Sequence, residues 1–325
     1  MDSDPYRISV RTMDLGLGAF DMIVSPAGVA RYGRVEFVAG VPRLPLERFQ
    51  TGGLNEKGMT CDQQTLVNAS YPLSAAAGSL AVTTDSFCGE VLANYGSARE
   101  LEAAISNGSL AIVEGYVKET HFVARDALGE SLVIEAFGRR VETLLDLNDD
   151  GVTGFGIFTN EPAIDYHITN VRHFKWKQTL ANPSLVVPGD WYPDSRFLRI
   201  YLVKNGMDPP GDYTTAVQQA VHVLNTITVP MGSGQLGTDS SLGSGGEGPH
   251  DHTLYGVVYD HLDARLYYRT YRNLNLQMVD LPALLAHLET TTTTTTTDPL
   301  VLSVLSADLP WYNDATSSFA PLSGR

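Results

Sequence analysis

The chain has 325 residues, 43% of them apolar and 18% charged, with a formal net charge of −15 and a pI near 4.8. That is enough apolar material for a packed core, which excludes a disordered polypeptide. The acidic balance argues against nucleic acid and anionic membrane surfaces as partners, since both call for clustered Lys and Arg. No apolar run reaches the ~18 residues of a membrane-spanning helix.

The first segment, ISVRTMDL, alternates as a strand and carries Arg11 and Asp14 close to the start of the chain. GVARYGRVEFVAG adds β-branched and aromatic residues between glycines, and Asn55-Glu56-Lys57-Gly58 has the chemistry of a turn between two strands. TTDSFCGEVLANYGSARELEAAISNG reads as two helices. The first aligns Phe87, Val91, Leu92 and Tyr95; the second aligns Leu101, Ala104 and Ile105 behind a Ser97 cap. HFVARDALGESLVIEAFGRRVETLLDL reads as two strands around Ala127-Leu128-Gly129 followed by a third. FTNEPAIDYHITNVRHFK is expected to begin as a strand and become a helix with Ile164, Ile168, Val171 and Phe174 on one face. DSRFLRIYLVKNG predicts a short helix. YTTAVQQAVHVLNTI predicts a cleaner one, aligning Val217, Ala220, Val221, Leu224 and Ile227. The last pair, HTLYGVVYDHLDARLYYRTYRN, predicts a hairpin around His261-Leu262-Asp263-Ala264.

Strands, helices, strands, helices, strands in blocks fit helices packed on antiparallel sheets better than βαβ alternation. The expected division is a domain over 1–289, a Thr-rich linker over 290–298 and a tail over 299–325. Residues 232–249 are Gly/Ser-rich and read as a loop.

The local motifs have bland explanations. DLNDDG at 146–151 opens like a calcium loop, but Ile157 stands where the closing Glu belongs, so a polar turn is expected. His250-Asp251-His252 borders the Gly/Ser-rich segment and reads as a solvated turn. The serine in Gly243-Ser244-Gly245 lacks the strand and helix of a nucleophile elbow. Cys61 and Cys88 fall in no CxxC or zinc-ligand spacing and read as two buried or partly buried thiols. Neither a metal nor a cofactor is expected. Scattered polar residues remain: Arg11 and Asp14; Asn55; Thr159 and Asn160; Asn170 and Arg172; Pro188-Gly189-Asp190; Ser195 and Arg196. Taken singly, each has a structural explanation.

Taken together, GGLNEKGMTCDQQTL, IFTNEPAIDYHITNVRHF, VPGDWYPDSRFLR, AVQQAVHVLNTI and YYRTYRNLNLQMVDL resemble, in order and approximate spacing, the choloylglycine hydrolase family over residues 7 to 282. Bile salt hydrolases and penicillin V acylases belong to that family. The resemblance implies the four-layer αββα sandwich of antiparallel sheets of the N-terminal nucleophile hydrolases, an α+β fold. It implies hydrolysis of a linear amide in a small-molecule substrate by a cysteine whose α-amine is free and takes the thiol proton. The matching positions give Asp14 as the carboxylate that holds the amine and Arg11 as the charge beside the thiol. They give Asn160 as the group near the oxyanion and Arg196 as the second, organising arginine. Thr65 falls where the family has Asn or Tyr, which makes it a substrate contact of altered chemistry.

The family's cysteine strand has no counterpart here, because Met1-Asp2-Ser3-Asp4-Pro5 stands in its place. Cys61 and Cys88 lie too far inside the chain to offer a free amine. The chain as written is therefore expected not to hydrolyse amides. Either a segment precedes it, or the fold survives as an amphiphile-binding protein. A leader, and with it a secreted, lysosomal or vacuolar location, is expected only in the first case. A homo-oligomer is left open.

Overall fold

The structure is a computed structural model that describes residues 5–15, 20–28, 31–41, 44–147, 154–180, 187–231, 252–291 and 300–303. Two sheets face each other. The larger holds eight strands in the order β10-β9-β8-β5-β4-β3-β2-β14, and the smaller holds four in the order β1-β11-β12-β13. Every pairing within both sheets is antiparallel. In the smaller sheet β1 spans Ile8–Leu15, β11 His252–Asp260, β12 Arg265–Thr270 and β13 Gln277–Asp280. In the larger, β2 spans Phe20–Ser25, β3 Arg34–Val41, β4 Leu44–Asn55 and β5 Thr60–Thr65. It continues with β8, Thr120–Arg125, β9, Ser131–Phe137, β10, Arg140–Asp146, and β14, Leu300–Ser303. Between them in sequence, β6 (Leu80–Thr83) and β7 (Leu110–Val113) form a small parallel pair.

Strand alternation sorts the apolar residues into layers. Phe20, Met22, Val35, Phe37 and Leu54 point from the larger sheet onto Tyr255, Val257, Tyr259 and Leu266 of the smaller, where Phe37 stacks on Tyr255 at 4.8 Å. The opposite face of the larger sheet carries Cys61, Phe122, Leu132 and Ile134. Helices α1 (Phe87–Asn94) and α2 (Ala98–Ser106) cover it with Phe87, Val91, Leu92 and Leu101. Ser97 caps α2 by accepting the Glu100 N–H. On the far side, α5 (Tyr213–Ile227) lies over the smaller sheet, and a β-carbon on Gly256 would collide with Leu224. The result is the αββα arrangement.

Four strands cannot cover eight. Beyond the β1 edge, α3 (Ile164–Leu180) and α4 (Pro193–Gly206) continue the layer, packing Ile164, Ile168, Val171 and Phe197 against Val123 and Val133. The last helix, α6 (Leu281–Thr291), closes the inter-sheet core with Leu281, Leu285 and Leu288. Among the described residues, no helix is long and apolar enough to cross a membrane.

Several expectations change. Cys61 on β5 and Cys88 on α1 are not separate thiols; they form a disulfide between the larger sheet and its covering helix. Residues 154–163 form no strand before α3. The buried face of α5 is Ala216, Val217, Val223, Leu224 and Ile227, with Ala216 and Val223 in place of Ala220 and Val221. His252 is buried at the start of β11 rather than solvated in a turn. Positions 148–153, which include most of the DLNDDG motif, the segment 232–251 with its Gly-Ser-Gly, His250 and Asp251, and Thr292 to Thr297 lie outside the described residues.

Candidate active site

A cavity of about 1130 Å³ opens where β1 ends the smaller sheet and α3 and α4 take over. β1 forms one wall. The end of β5 and residues of β8 form the floor, while the 156–161 segment, α4 and α5 complete the enclosure. Arg11, Asp14, Thr65, Asn160 and Arg196 all line it.

Arg11 and Asp14 do not pair with each other. Residues three apart on a strand leave by opposite faces. Arg11 points between the sheets, where its Nη2 donates to the Gln63 carbonyl at 2.9 Å and its Nη1 lies 3.5 Å from Asp62 and 3.3 Å from the Tyr255 hydroxyl. Gly52 makes room for this guanidinium, because a β-carbon there would run into Asp62 and Arg11. Burial opposes the Arg11 charge, but Tyr255, Asp62, Tyr259 and Asp14 outweigh it and hold its pKa above the ordinary arginine value. Burial raises the Asp62 pKa, against the pull of Arg11, Arg125 and the Tyr259 hydroxyl that donates to it.

Asp14 stands at a register shift in the β1–β11 ladder, where Met13 faces Tyr255 and Asp14 faces Thr253. Its Oδ1 accepts from the Thr253 hydroxyl at 2.5 Å and its Oδ2 accepts from Arg196 Nη1 at 2.9 Å. Arg196 Nη2 donates to Asn160 Oδ1 at 2.8 Å, and Asn160 Nδ2 donates to the Thr65 carbonyl at 3.3 Å. One guanidinium thus ties the end of β1 to the segment before α3, and Asn160 ties that segment to the end of β5. The second N–H of the Asn160 amide has no acceptor among the described residues.

The supporting residues explain why these side chains hold their positions. His167 donates from Nε2 to the Asn160 carbonyl at 3.0 Å while its ring stacks on Phe197 at 4.7 Å, which fixes the Asn160 backbone against α4. Asp190 organises the start of α4 by accepting from the Tyr192 N–H at 3.0 Å and the Ser195 hydroxyl at 2.9 Å. Arg199 collects the Pro188, Asp190 and Thr226 carbonyls and so joins that loop to α5. Asn55, by contrast, serves the β4–β5 turn. Its amide donates to Leu92 and Tyr95 carbonyls, and its Oδ1 accepts from the Lys57 and Met59 N–H groups. Asn170 and Arg172 lie on α3 away from the cavity lining.

Sequence reasoning missed Asp62, Thr253 and His167, which look ordinary until the fold brings them together. It also missed Ser9 and His261, another cavity-lining pair. His261 donates Nδ1–H to the Gly58 carbonyl at 2.7 Å, so its Nε2 accepts from the Ser9 hydroxyl at 2.8 Å. Burial, helped by the nearby Arg125 charge, pushes the His261 pKa down to about 4. An imidazole that weakly basic is a poor general base, so Ser9 is a hydrogen-bonding group rather than an activated nucleophile.

An αββα sandwich with a polar, arginine-bridged cavity at the edge of one sheet defines the class of this molecule. The chain belongs to the linear amide C–N hydrolases, choloylglycine hydrolase family, whose sequence profile matches residues 45–296. Among its relatives is the bile salt hydrolase/transferase of Clostridium perfringens, 26% identical over 251 residues that make up 70% of this chain and 71% of the relative. The bile salt hydrolase/transferase of Lactiplantibacillus plantarum is 24% identical over 284 residues, 80% of each chain. Among solved structures, a mutant of the Clostridium perfringens conjugated bile acid hydrolase superposes with a TM-score of 0.65 at 22% identity, covering 85% of this chain and 89% of that one. The penicillin V acylase of Agrobacterium tumefaciens gives a TM-score of 0.67 at 18% identity, covering 87% and 84%. The expected fold is thereby borne out.

Proposed function

We propose that this chain supplies the substrate-holding and charge-stabilising part of a linear amide hydrolase, and that its substrate is an N-acyl amide with an apolar or steroid-like acyl group. The observation that carries this reading is the continuous chain Asp14–Arg196–Asn160–Thr65 across the cavity lining. In the reaction, a thiolate attacks the amide carbonyl carbon, and the C–S bond forms as the carbonyl oxygen takes the negative charge. The free N–H of Asn160 is the donor for that oxyanion. Arg11 favours the thiolate, and Asp14 orients the α-amine that takes the thiol proton and returns it to the leaving nitrogen. The C–N bond breaks, the amine leaves, and water hydrolyses the thioester.

Both cysteines of the sequence are in the Cys61–Cys88 disulfide, on the face of the larger sheet that packs against α1 and α2. Neither cysteine can act as the nucleophile while that bridge is intact. That observation favours a second reading, in which the chain as written binds amphiphilic amides without cleaving them. Titration with a conjugated bile salt, penicillin V and an N-acyl amine separates the possibilities. The account expects saturable binding of at least one of them, weakened tenfold or more by Arg196→Ala. Absence of binding by all three removes both readings.

A further inference from the structure

The cavity lining holds a cation that the amide chemistry does not use. Arg125, at the end of β8, sits deep in the protein, yet its side chain keeps accessible surface, and that surface is cavity wall. Among the described residues no carboxylate lies within ion-pair distance of its guanidinium, and no acceptor lies within hydrogen-bonding distance. Its acidic neighbours act only through space. Asp62 is committed to Arg11 and Tyr259, and Asp146 accepts the Gly156 N–H at 2.7 Å. A buried guanidinium with five donors and no acceptor is costly to maintain and is satisfied by an anion that fits its planar fork.

We propose that Arg125 anchors a second ligand position in this cavity, one that takes the carboxylate of an aliphatic monoacid. A monoanion is favoured over a dianion because Asp62 and Asp146 already supply negative potential there. The aliphatic part follows from the apolar side chains of the same cavity lining, among them Ile200, Met207, Pro209, Ala216, Ala220 and Val223. A carboxylate held at Arg125 engages the cavity through a group outside the Asp14–Arg196–Asn160–Thr65 chain.

The test is calorimetric titration of the full chain with octanoate and with octan-1-ol, which share the tail and differ in charge. The expected result is at least tenfold tighter binding of octanoate. Arg125→Gln brings octanoate down to the octan-1-ol affinity and leaves octan-1-ol binding within twofold, while Arg125→Lys keeps part of the preference. If Arg125→Gln does not fold, phenylglyoxal modification of the unaltered chain, mapped by mass spectrometry, gives the answer: octanoate slows labelling at Arg125 several-fold and octan-1-ol does not. Equal affinity for the two probes, an unchanged preference in Arg125→Gln, or absence of protection at Arg125 overturns the proposal.

Discussion

Arg196 on α4 clamps Asp14 on β1, with Nη1 2.9 Å from Oδ2, and the same guanidinium donates to Asn160 at 2.8 Å. Both side chains of the ion pair are largely buried, at 10% and 15% exposure. Removing one partner leaves a poorly hydrated charge, so Arg196→Ala is expected to cost roughly 2–3 kcal/mol of stability by denaturant titration. A double-mutant cycle with Asp14→Asn should give a coupling energy above about 1 kcal/mol. Additive effects would mean that the pair does not hold β1 to α4.

The Cys61–Cys88 disulfide joins residues 27 apart in sequence. Loop-closure entropy for such a link amounts to about 3.5 kcal/mol. Replacing both cysteines with alanine is expected to lower unfolding stability by about 2–4 kcal/mol. Ligand affinity should stay within twofold, because the bridge faces α1 and the cavity lies on the other side of the sheet. A collapse in ligand binding at unchanged stability would contradict this placement.

His261 couples folding to pH. Its folded-state pKa is pushed down to about 4 by burial, whereas the unfolded side chain titrates near 6.5. Between these values the unfolded chain binds the extra proton, so this contribution to stability is full above pH ~6.5 and is lost as pH falls toward 4. The difference amounts to about 3 kcal/mol at most. Asp62, whose pKa burial raises, works in the opposite sense by favouring the folded state at low pH. In His261→Gln, stability measured from pH 7 to pH 4 should fall distinctly less than in the unaltered chain. An identical pH profile would remove His261 as the responsible group.

If a thiol is supplied, Asn160 becomes a test of the oxyanion assignment. Asn160→Ala is expected to lower kcat by roughly 10²–10³ with KM little changed. A change confined to KM would make Asn160 a ground-state contact instead.

What could be read from the chain depended on whether neighbours in sequence carried the information. Helices α1 and α2, the Ser97 cap and the β8–β9 hairpin were visible because their periodicity and turn residues are local. The buried face of α5 was read at Val217, Leu224 and Ile227. It missed Ala216 and Val223 because both also line the cavity, so periodicity toward the sheet gave no clear mark. The stretch from Phe158 to the start of α3 read as the beginning of a strand, yet Phe158 buries itself in the cluster with Val123, Val133 and Phe197 without a ladder. The disulfide was hidden because it joins a strand to a helix across a layer. The partners of Arg11 and Asp14 were hidden for the same reason: strand alternation separates the two, and only the assembled sheets show that Asp62 and Arg196 are waiting on either face.

The central claim is that the Asp14–Arg196–Asn160 wall serves amide hydrolysis once a thiol with a free α-amine is provided beside it. Amine release from a conjugated bile salt, penicillin V or an N-acyl amine tests this most directly, measured for the chain as written and for the chain with a Cys-initiated strand placed before Ile8. The account predicts no release in the first case, and in the second release of amine from at least one substrate, abolished when that cysteine is replaced by alanine. Release by the unaltered chain, or none from any substrate after the cysteine strand is added and the protein is shown to fold, would contradict it.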